Sequence, residues 1–238
     1  MRIENVSIVG MGALGVMYGD FFTPKLGKEH VEFVADKARI DHFQQEGIFC
    51  NGRACDFSIA DEAETGRPAD LLIFAVKATG LQAAIHTVRN KVSEHTIILS
   101  LLNGITSEEI IGRAYGMNPI IHCIVQGMDT IKENNLVTYA HFGKIYLGIH
   151  DENDLKKQNL QAVVDLFDRI EMPYAVEDDI LRRMWCKLML NVGVNQTVMI
   201  YEGTYETVQR PGRARDFMKA AMQEVIQVAQ KENVPITQ

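Results

Sequence analysis

Short, mostly apolar runs alternate with amphipathic stretches through the first half of the chain, and the alternation stops near Pro119. Val6–Val9 is a short apolar run and Val31–Val34 reads as a second strand, while in Asp70–Lys77 and Thr96–Leu101 apolar residues mostly fall at consecutive positions rather than at every second one. Such runs are strands buried on both faces, as in a parallel sheet covered by helices. Between them the apolar positions recur at helical spacing: from the glycines after Val9 to about Phe22, from Lys37 to Gln45 with Gly47 ending it, from Leu81 to Lys91, and from Ser107 to Tyr115. Strands alternating with helices of that length predict a doubly wound α/β domain. Asn51-Gly52, inside Ile48–Ile59, is a strong hairpin pair.

Beyond Pro119 the rhythm changes. Ile120–Val125, Leu136–Ala140 and Lys144–Gly148 read as short strands continuing antiparallel, followed by a helix over Asn153–Ile170 and a strand over Pro173–Val176. From Glu177 onward the pattern is entirely helical, with one long helix to about Ile200 and another over Arg213–Lys231. Glu177, Asp178 and Asp179 are acids placed where a helix start favours them. The expected organisation is a dinucleotide-binding α/β domain over residues 1–176 and an all-helical domain over residues 177–238.

The first turn after the first strand is Gly10-Met11-Gly12-Ala13-Leu14-Gly15, a G-x-G-x-x-G pattern. The hexapeptide alone is weak, but here it leaves a strand and opens a helix, the context its chemistry needs. Gly10 permits the tight turn, Gly12 lets the backbone approach a pyrophosphate, and Gly15 allows close packing of helix on strand. The pyrophosphate then meets free N–H groups at a helix start. This is the Rossmann fingerprint, and it predicts binding of NAD(P)(H). The residue after the second strand reads the adenosine ribose. Asp36 favours NAD(H) through the 2′-hydroxyl, whereas Lys37 and Arg39 just beyond it favour the 2′-phosphate of NADP(H). Asp36 is equally well placed to cap the helix beginning at Lys37, so the coenzyme stays open at this point.

Composition narrows the field. The 238 residues are 47% hydrophobic and 23% charged, ordinary for a globular protein with a substantial core. A formal net charge of −7 disfavours nucleic acid and anionic membranes as partners. The four cysteines form no C-x-x-C pair and the seven histidines show no metal-ligand spacing, so no metal site is expected and the thiols read as reduced. No apolar run approaches the roughly 20 residues that span a bilayer. With no room for a signal peptide before the first strand, the expected location is the cytoplasm.

Several polar placements sit badly in a purely structural protein. Lys77 ends the apolar strand LLIFAVK, and Asn103-Gly104 follows the buried strand IILSLLNG, both at the carboxyl edge where open α/β sheets bind ligands. In the apolar segment Trp185–Gln196, Lys187, Asn191 and Asn195 recur at i, i+4 and i+8, near one helical face. A polar stripe on an apolar helix needs partners, and asparagine is a poor helix former.

The series GMGALG, FAVKATG, LLNGI and MWCKLMLNVGVNQ resembles the ketopantoate reductase (2-dehydropantoate 2-reductase) family in order and approximate spacing, over essentially the whole chain. The resemblance implies NADPH-dependent reduction of a small 2-keto acid, ketopantoate, to pantoate on the route to pantothenate and coenzyme A. It implies Lys187 as the general acid, Asn103 positioning the nicotinamide or Lys187, Asn191 and Asn195 holding substrate oxygens, and Lys77 lining the cofactor and substrate cleft. Two features depart from the family pattern: Asp36 stands where many members carry a basic residue, and the expected helical domain is incomplete, ending at Gln238 before further helices that supply a serine and a glutamate. Homodimerisation is one consequence of apolar surface left open there. Reduction of another 2-keto acid and a non-catalytic dinucleotide sensor are the alternatives, and retention of a proton donor at Lys187 argues against the sensor.

Overall fold

The computed structural model describes residues 1–151 and 153–237, and Gln238, the last residue of the expected helical domain, lies outside them. The chain forms two compact units, one of Met1–Leu102 with Thr106–Asp178, the other of Asn103–Ile105 with Asp179–Gln238.

The first unit is built on five parallel strands, β1 (Val6–Val9), β2 (Val31–Ala35), β5 (Ser58–Asp61), β6 (Leu71–Phe74) and β7 (Ile97–Ser100), in the order β5-β2-β1-β6-β7. Successive side chains point to opposite faces. Leu71, Ile73, Ile97 and Leu99 therefore enter one apolar cluster, and Leu72, Phe74 and Ile98 enter another on the far side. Burial on both faces is why these strands read as continuous apolar runs. Connecting helices are α1 (Ala13–Leu26), α2 (Lys37–Glu46), α3 (Leu81–Thr87) and α4 (Ser107–Tyr115). Helix α1 runs a turn further than its pattern suggests, with Pro24 inside its last turn. Helix α3 is shorter, passing into a single 3₁₀ turn at Arg89–Lys91. Strand β5 was not separable by pattern from the preceding hairpin. It adds an edge to the sheet by pairing parallel with β2, Phe33 opposite Ile59.

The hairpin forms as expected. Strands β3 (Phe49–Cys50) and β4 (Arg53–Ala54) flank Asn51 and Gly52, both at positive φ (48° and 77°), the mirror-image turn that Asn-Gly favours.

The strands after Pro119 do not continue the main sheet antiparallel, a correction to the expectation. Strands β8 (His122–Met128), β11 (Phe142–Gly148) and β12 (Tyr174–Val176) make a separate sheet in which only the β8–β11 pair is antiparallel. Strands β9 (Ile131–Glu133) and β10 (Leu136–Thr138) join the hairpin in the order β4-β3-β10-β9, with β10 parallel to β3. Pairing partners come from chain segments far apart in sequence, which local periodicity cannot register. Helix α5 (Asp154–Arg169) is capped by the Asn153 side chain, which accepts from the Lys156 N–H at 2.8 Å.

The second unit holds α6 (Ile180–Leu190), a π turn over Asn191–Asn195, α7 (Gln196–Ile200), α8 (Tyr205–Gln209) and α9 (Arg213–Lys231). Asp179 caps α6, its carboxylate accepting from the Arg182 N–H at 3.0 Å. The core of this unit joins Trp185 and Met189 of α6 to Val225, Ile226 and Ala229 of α9, with Ile105 packed against it. A Cβ built on Gly193 would lie 2.3 Å from Met222 Cγ, so a glycine is what lets α9 press against the π turn. The expected single helix to Ile200 is thus interrupted, and α8 is an addition to the expected pair.

Candidate functional site

The carboxyl edge of the parallel sheet opens into a cleft of about 310 Å³. Its floor and walls come from Gly10, Met11 and Gly12, the end of β2 at Val34 and Ala35, Arg39 and Phe43 of α2, and Ala75 to Lys77 after β6. The glycine loop is tight where it must be. A Cβ at Gly15 would lie 1.9 Å from the Gly10 carbonyl oxygen, so α1 could not pack on the loop with any side chain there. Gly10 stands at φ 102°, and its Cβ would meet Ala75 backbone at 2.8 Å. Gly12 differs: its backbone is ordinary extended chain, and the nearest atom to an added Cβ is Ala75 O at 3.7 Å. Space beside Gly12 is left empty by the protein.

Helix α1 begins at Ala13 with no side-chain cap and no acid in its first turn. Its first N–H groups, including those of Ala13, Leu14 and Gly15, precede the intrahelical ladder, whose first bond runs from Val16 N–H to the Gly12 carbonyl at 3.0 Å. Uncapped donors at a positive helix end beside an open cleft suit a phosphate group. The loop, the cleft and the missing Cβ at Gly12 together fit a dinucleotide.

Asp36 and Lys37 have other duties. The Asp36 carboxylate caps α2, accepting from the Arg39 N–H at 2.8 Å, and it pairs with the Arg39 guanidinium at 3.0 Å. Lys37 pairs with Asp41 at 2.9 Å, and this contact raises its pKa above the usual lysine value. Among the described residues the cleft is lined at this point by Arg39, not by Asp36 or Lys37. Lys77 is exposed and lines the cleft as the sequence suggests.

A further basic group, invisible to sequence reading, reaches the loop. Lys132 on β9 donates from Nζ to the Met11 carbonyl at 2.5 Å and lies 5.4 Å from the centroid of the Phe43 ring. Burial lowers its pKa. Strand β9 itself could have been found from Asn134-Asn135, with Asn134 at φ 53°, a turn pair that closes the β9–β10 hairpin.

At the start of α4 a buried polar chain runs from Ser100 Oγ to Ser107 Oγ and from Ser107 Oγ to the Glu108 carboxylate, each at 2.8 Å. Glu108 is 2% exposed, and burial pushes its carboxyl up to about 6.

The second unit gathers Asn103, Lys187, Asn191 and Asn195. Lys187 is half-buried on α6, whereas Asn103 and Asn195 are exposed. Four residues of α-helix overshoot a full turn by about 40°, so a stripe at i, i+4 and i+8 drifts around a straight helix. The π turn is wider than an α turn. Its four-residue step from Asn191 to Asn195 falls short of a full turn and offsets the drift. The Asn195 amide donates to the Asn191 side-chain oxygen at 3.1 Å, and the Tyr205 hydroxyl donates to the Asn195 side-chain oxygen at 3.3 Å. Asn195 and Tyr205 also border an open hollow of about 500 Å³ with Val198, Met199, Glu202 and Thr204. Among the described residues no group of three His, Cys, Asp or Glu side chains could hold a metal ion, and no helix is long and apolar enough to cross a membrane.

The parallel sheet, its glycine loop and the helical second unit define a Rossmann-type dinucleotide-binding protein with a helical C-terminal region. The model of the family described as ketopantoate reductase PanE/ApbA matches residues 6–152, and that of the same family's C-terminal region matches residues 179–238. The chain belongs to the ketopantoate reductase family, a family of dinucleotide-dependent oxidoreductases acting on CH–OH groups. The helical segment, expected to be incomplete, is matched by the C-terminal family model from Asp179 onward. Among curated relatives, the 2-dehydropantoate 2-reductase of Aquifex aeolicus (strain VF5) is 23% identical over 229 residues, covering 96% of this chain and 73% of that protein. Among solved structures, the ternary structure of D-mandelate dehydrogenase with NADH and anilino(oxo)acetate superposes with a TM-score of 0.84 at 20% identity, covering 98% of this chain and 75% of the other. A dimeric ketopantoate reductase from Staphylococcus aureus gives a TM-score of 0.75 at 19% identity, over 98% and 82% of the two chains. These structural likenesses are likenesses of fold.

Proposed function

We propose that the protein reduces 2-dehydropantoate (ketopantoate) to pantoate with NADPH, as a cytoplasmic homodimer serving pantothenate and coenzyme A synthesis. The observation that carries this reading is the family match over both segments of a chain that has Lys187 on α6 and Asn191 and Asn195 on the π turn that follows it, with Asn103 in the same unit. A bound dinucleotide supplies the hydride. Lys187 serves as general acid: its ammonium stabilises the negative charge growing on the keto oxygen and delivers the proton that makes the hydroxyl. Asn191 and Asn195 present amide donors and acceptors to substrate oxygens, and their mutual hydrogen bond orients both. Asn103 positions the nicotinamide or Lys187. In the first unit Gly10–Gly15 receive the pyrophosphate and Lys77 lines the cleft.

The choice of NADPH rests on Arg39. It lines the cleft, while the Asp36 carboxylate that would repel a 2′-phosphate is engaged by the α2 N-terminus and by Arg39 itself. A second reading, reduction of an aryl or other 2-keto acid, draws support from the close superposition on D-mandelate dehydrogenase.

Both readings are tested by following nicotinamide absorbance with NADPH and NADH against 2-dehydropantoate and phenylglyoxylate. The expected result is faster turnover with NADPH and 2-dehydropantoate than with any other combination. Preference for phenylglyoxylate would transfer the assignment to the second reading. Bound dinucleotide with no oxidation by either keto acid would overturn reduction of this substrate class.

A further inference from the structure

We propose that Lys132 is a further cofactor-binding residue, a cation that the β9–β10 hairpin brings to the glycine loop to hold the diphosphate bridge of the dinucleotide. The inference rests on the dinucleotide-binding part of the functional reading and not on the identity of the keto acid.

Its starting point is an ammonium group without an anion. Lys132 is half-buried, and its partners are a carbonyl oxygen (Met11, 2.5 Å) and an aromatic ring (Phe43, centroid at 5.4 Å). Among the described residues no carboxylate pairs with it. This sets it apart from Lys91 and Lys156, the two most buried lysines, which pair with Glu32 at 2.8 Å and Asp151 at 2.9 Å. Withdrawing a charge from water is costly unless a counter-charge compensates. A neutral carbonyl and a ring face compensate only in part, and a three-donor ammonium retains capacity for another acceptor.

The place where that capacity lies is specific. Met11 is the residue between Gly10 and Gly12, and both Met11 and Phe43 line the cleft. The neighbouring helix start is bare of side-chain caps. An anion resting on the α1 N–H groups is thereby flanked by the one protein cation tied to the loop itself among the described residues. A diphosphate, with negative charge spread over several oxygens, accepts from N–H groups on one side and from an ammonium on the other. The Lys132–Met11 contact also holds the loop in its binding shape before the ligand arrives, joining segments 121 residues apart in sequence.

The test is Lys132→Met, which keeps an unbranched stem against Phe43 and removes the charge, compared with Lys132→Arg. Dissociation constants for NADH, NADPH and ADP are measured by calorimetry at low and high salt. All three constants are expected to rise about tenfold in Lys132→Met, with a flatter salt dependence, while Lys132→Arg stays close to wild type. Unchanged affinity in a folded Lys132→Met would overturn the proposal. A loss confined to NADPH would overturn it too, by moving the contact to the 2′-phosphate. A measurement on the wild-type protein stands independently of the variants: ADP is expected to slow acetylation of Lys132, read by mass spectrometry, and equal labelling with and without ADP would overturn the assignment. Failure of keto-acid turnover with these binding results intact would count against the reductase reading alone.

Discussion

Helices α1 and α2 both start where a buried parallel strand leaves the sheet, and they start in opposite ways. At α2 the Asp36 carboxylate takes the Arg39 N–H and closes the helix end within the protein. At α1 the equivalent place is Gly12, which has no side chain to offer, and the first turn carries no acid. With glycine rather than aspartate at the cap, the stability forgone is only roughly a few tenths of a kcal/mol. In the proposed function this helix start, beside a cleft and with no Cβ at Gly12, is where a ligand phosphate binds. The same comparison explains why an acid after the second strand was ambiguous in the sequence: Asp36 serves the backbone, and its neighbour Arg39 lines the cleft. Helix α4 is a third case, with the buried Glu108 in its first turn held by Ser107 rather than by solvent.

The largest effect is expected from giving α1 the start that α2 has. Gly12 already has extended backbone that aspartate adopts, and its Cβ direction is open. Gly12→Asp is therefore expected to fold normally, with stability equal to wild type or roughly a few tenths of a kcal/mol higher. Dinucleotide affinity is expected to fall by about 100-fold, because a carboxylate then occupies the donors and repels the phosphates. Wild-type affinity for NADH or NADPH in this variant would show that the α1 start is not the phosphate site.

A smaller effect is expected at α4. The folded pKa of Glu108 lies near 6, above the ordinary 4.5. An acid raised in this way favours the folded state below its ordinary pKa and loses that contribution as pH rises through the folded value. Glu108→Gln, whose amide oxygen still accepts from Ser107, should thus stabilise the protein at pH 7 by about 2 kcal/mol. At pH 4 it should change stability little. Denaturant unfolding at the two pH values separates the cases, and an equal difference at both would mean that shape rather than charge governs the site.

What the sequence conveyed depended on how local each feature is. The buried strands, the glycine loop, the Asn51-Gly52 hairpin and the polar stripe on the last domain are written within a few residues of themselves, and each was readable. Lys132 was not, because nothing in Ile131–Glu133 announces that this strand lies against a loop at residue 11. The parallel pairing of β10 with β3 was hidden for the same reason. The π turn at Asn191–Asn195 has no local marker in the sequence, and Met222, which packs on its Gly193, comes from a helix later in the chain. The Asn103 turn read as part of the α/β domain's edge, yet it groups with the helical unit through Ile105 packing beside Trp185 and Met189.

In the proposed function Lys187 is the proton donor of a dinucleotide-dependent reductase, and one variant addresses that role directly. In Lys187→Ala, turnover of NADPH with 2-dehydropantoate should fall by about 100-fold or more while the dissociation constant for NADPH stays at the wild-type value. Turnover at the wild-type rate, or a loss of turnover that merely follows a loss of NADPH binding, would contradict the role given to this lysine.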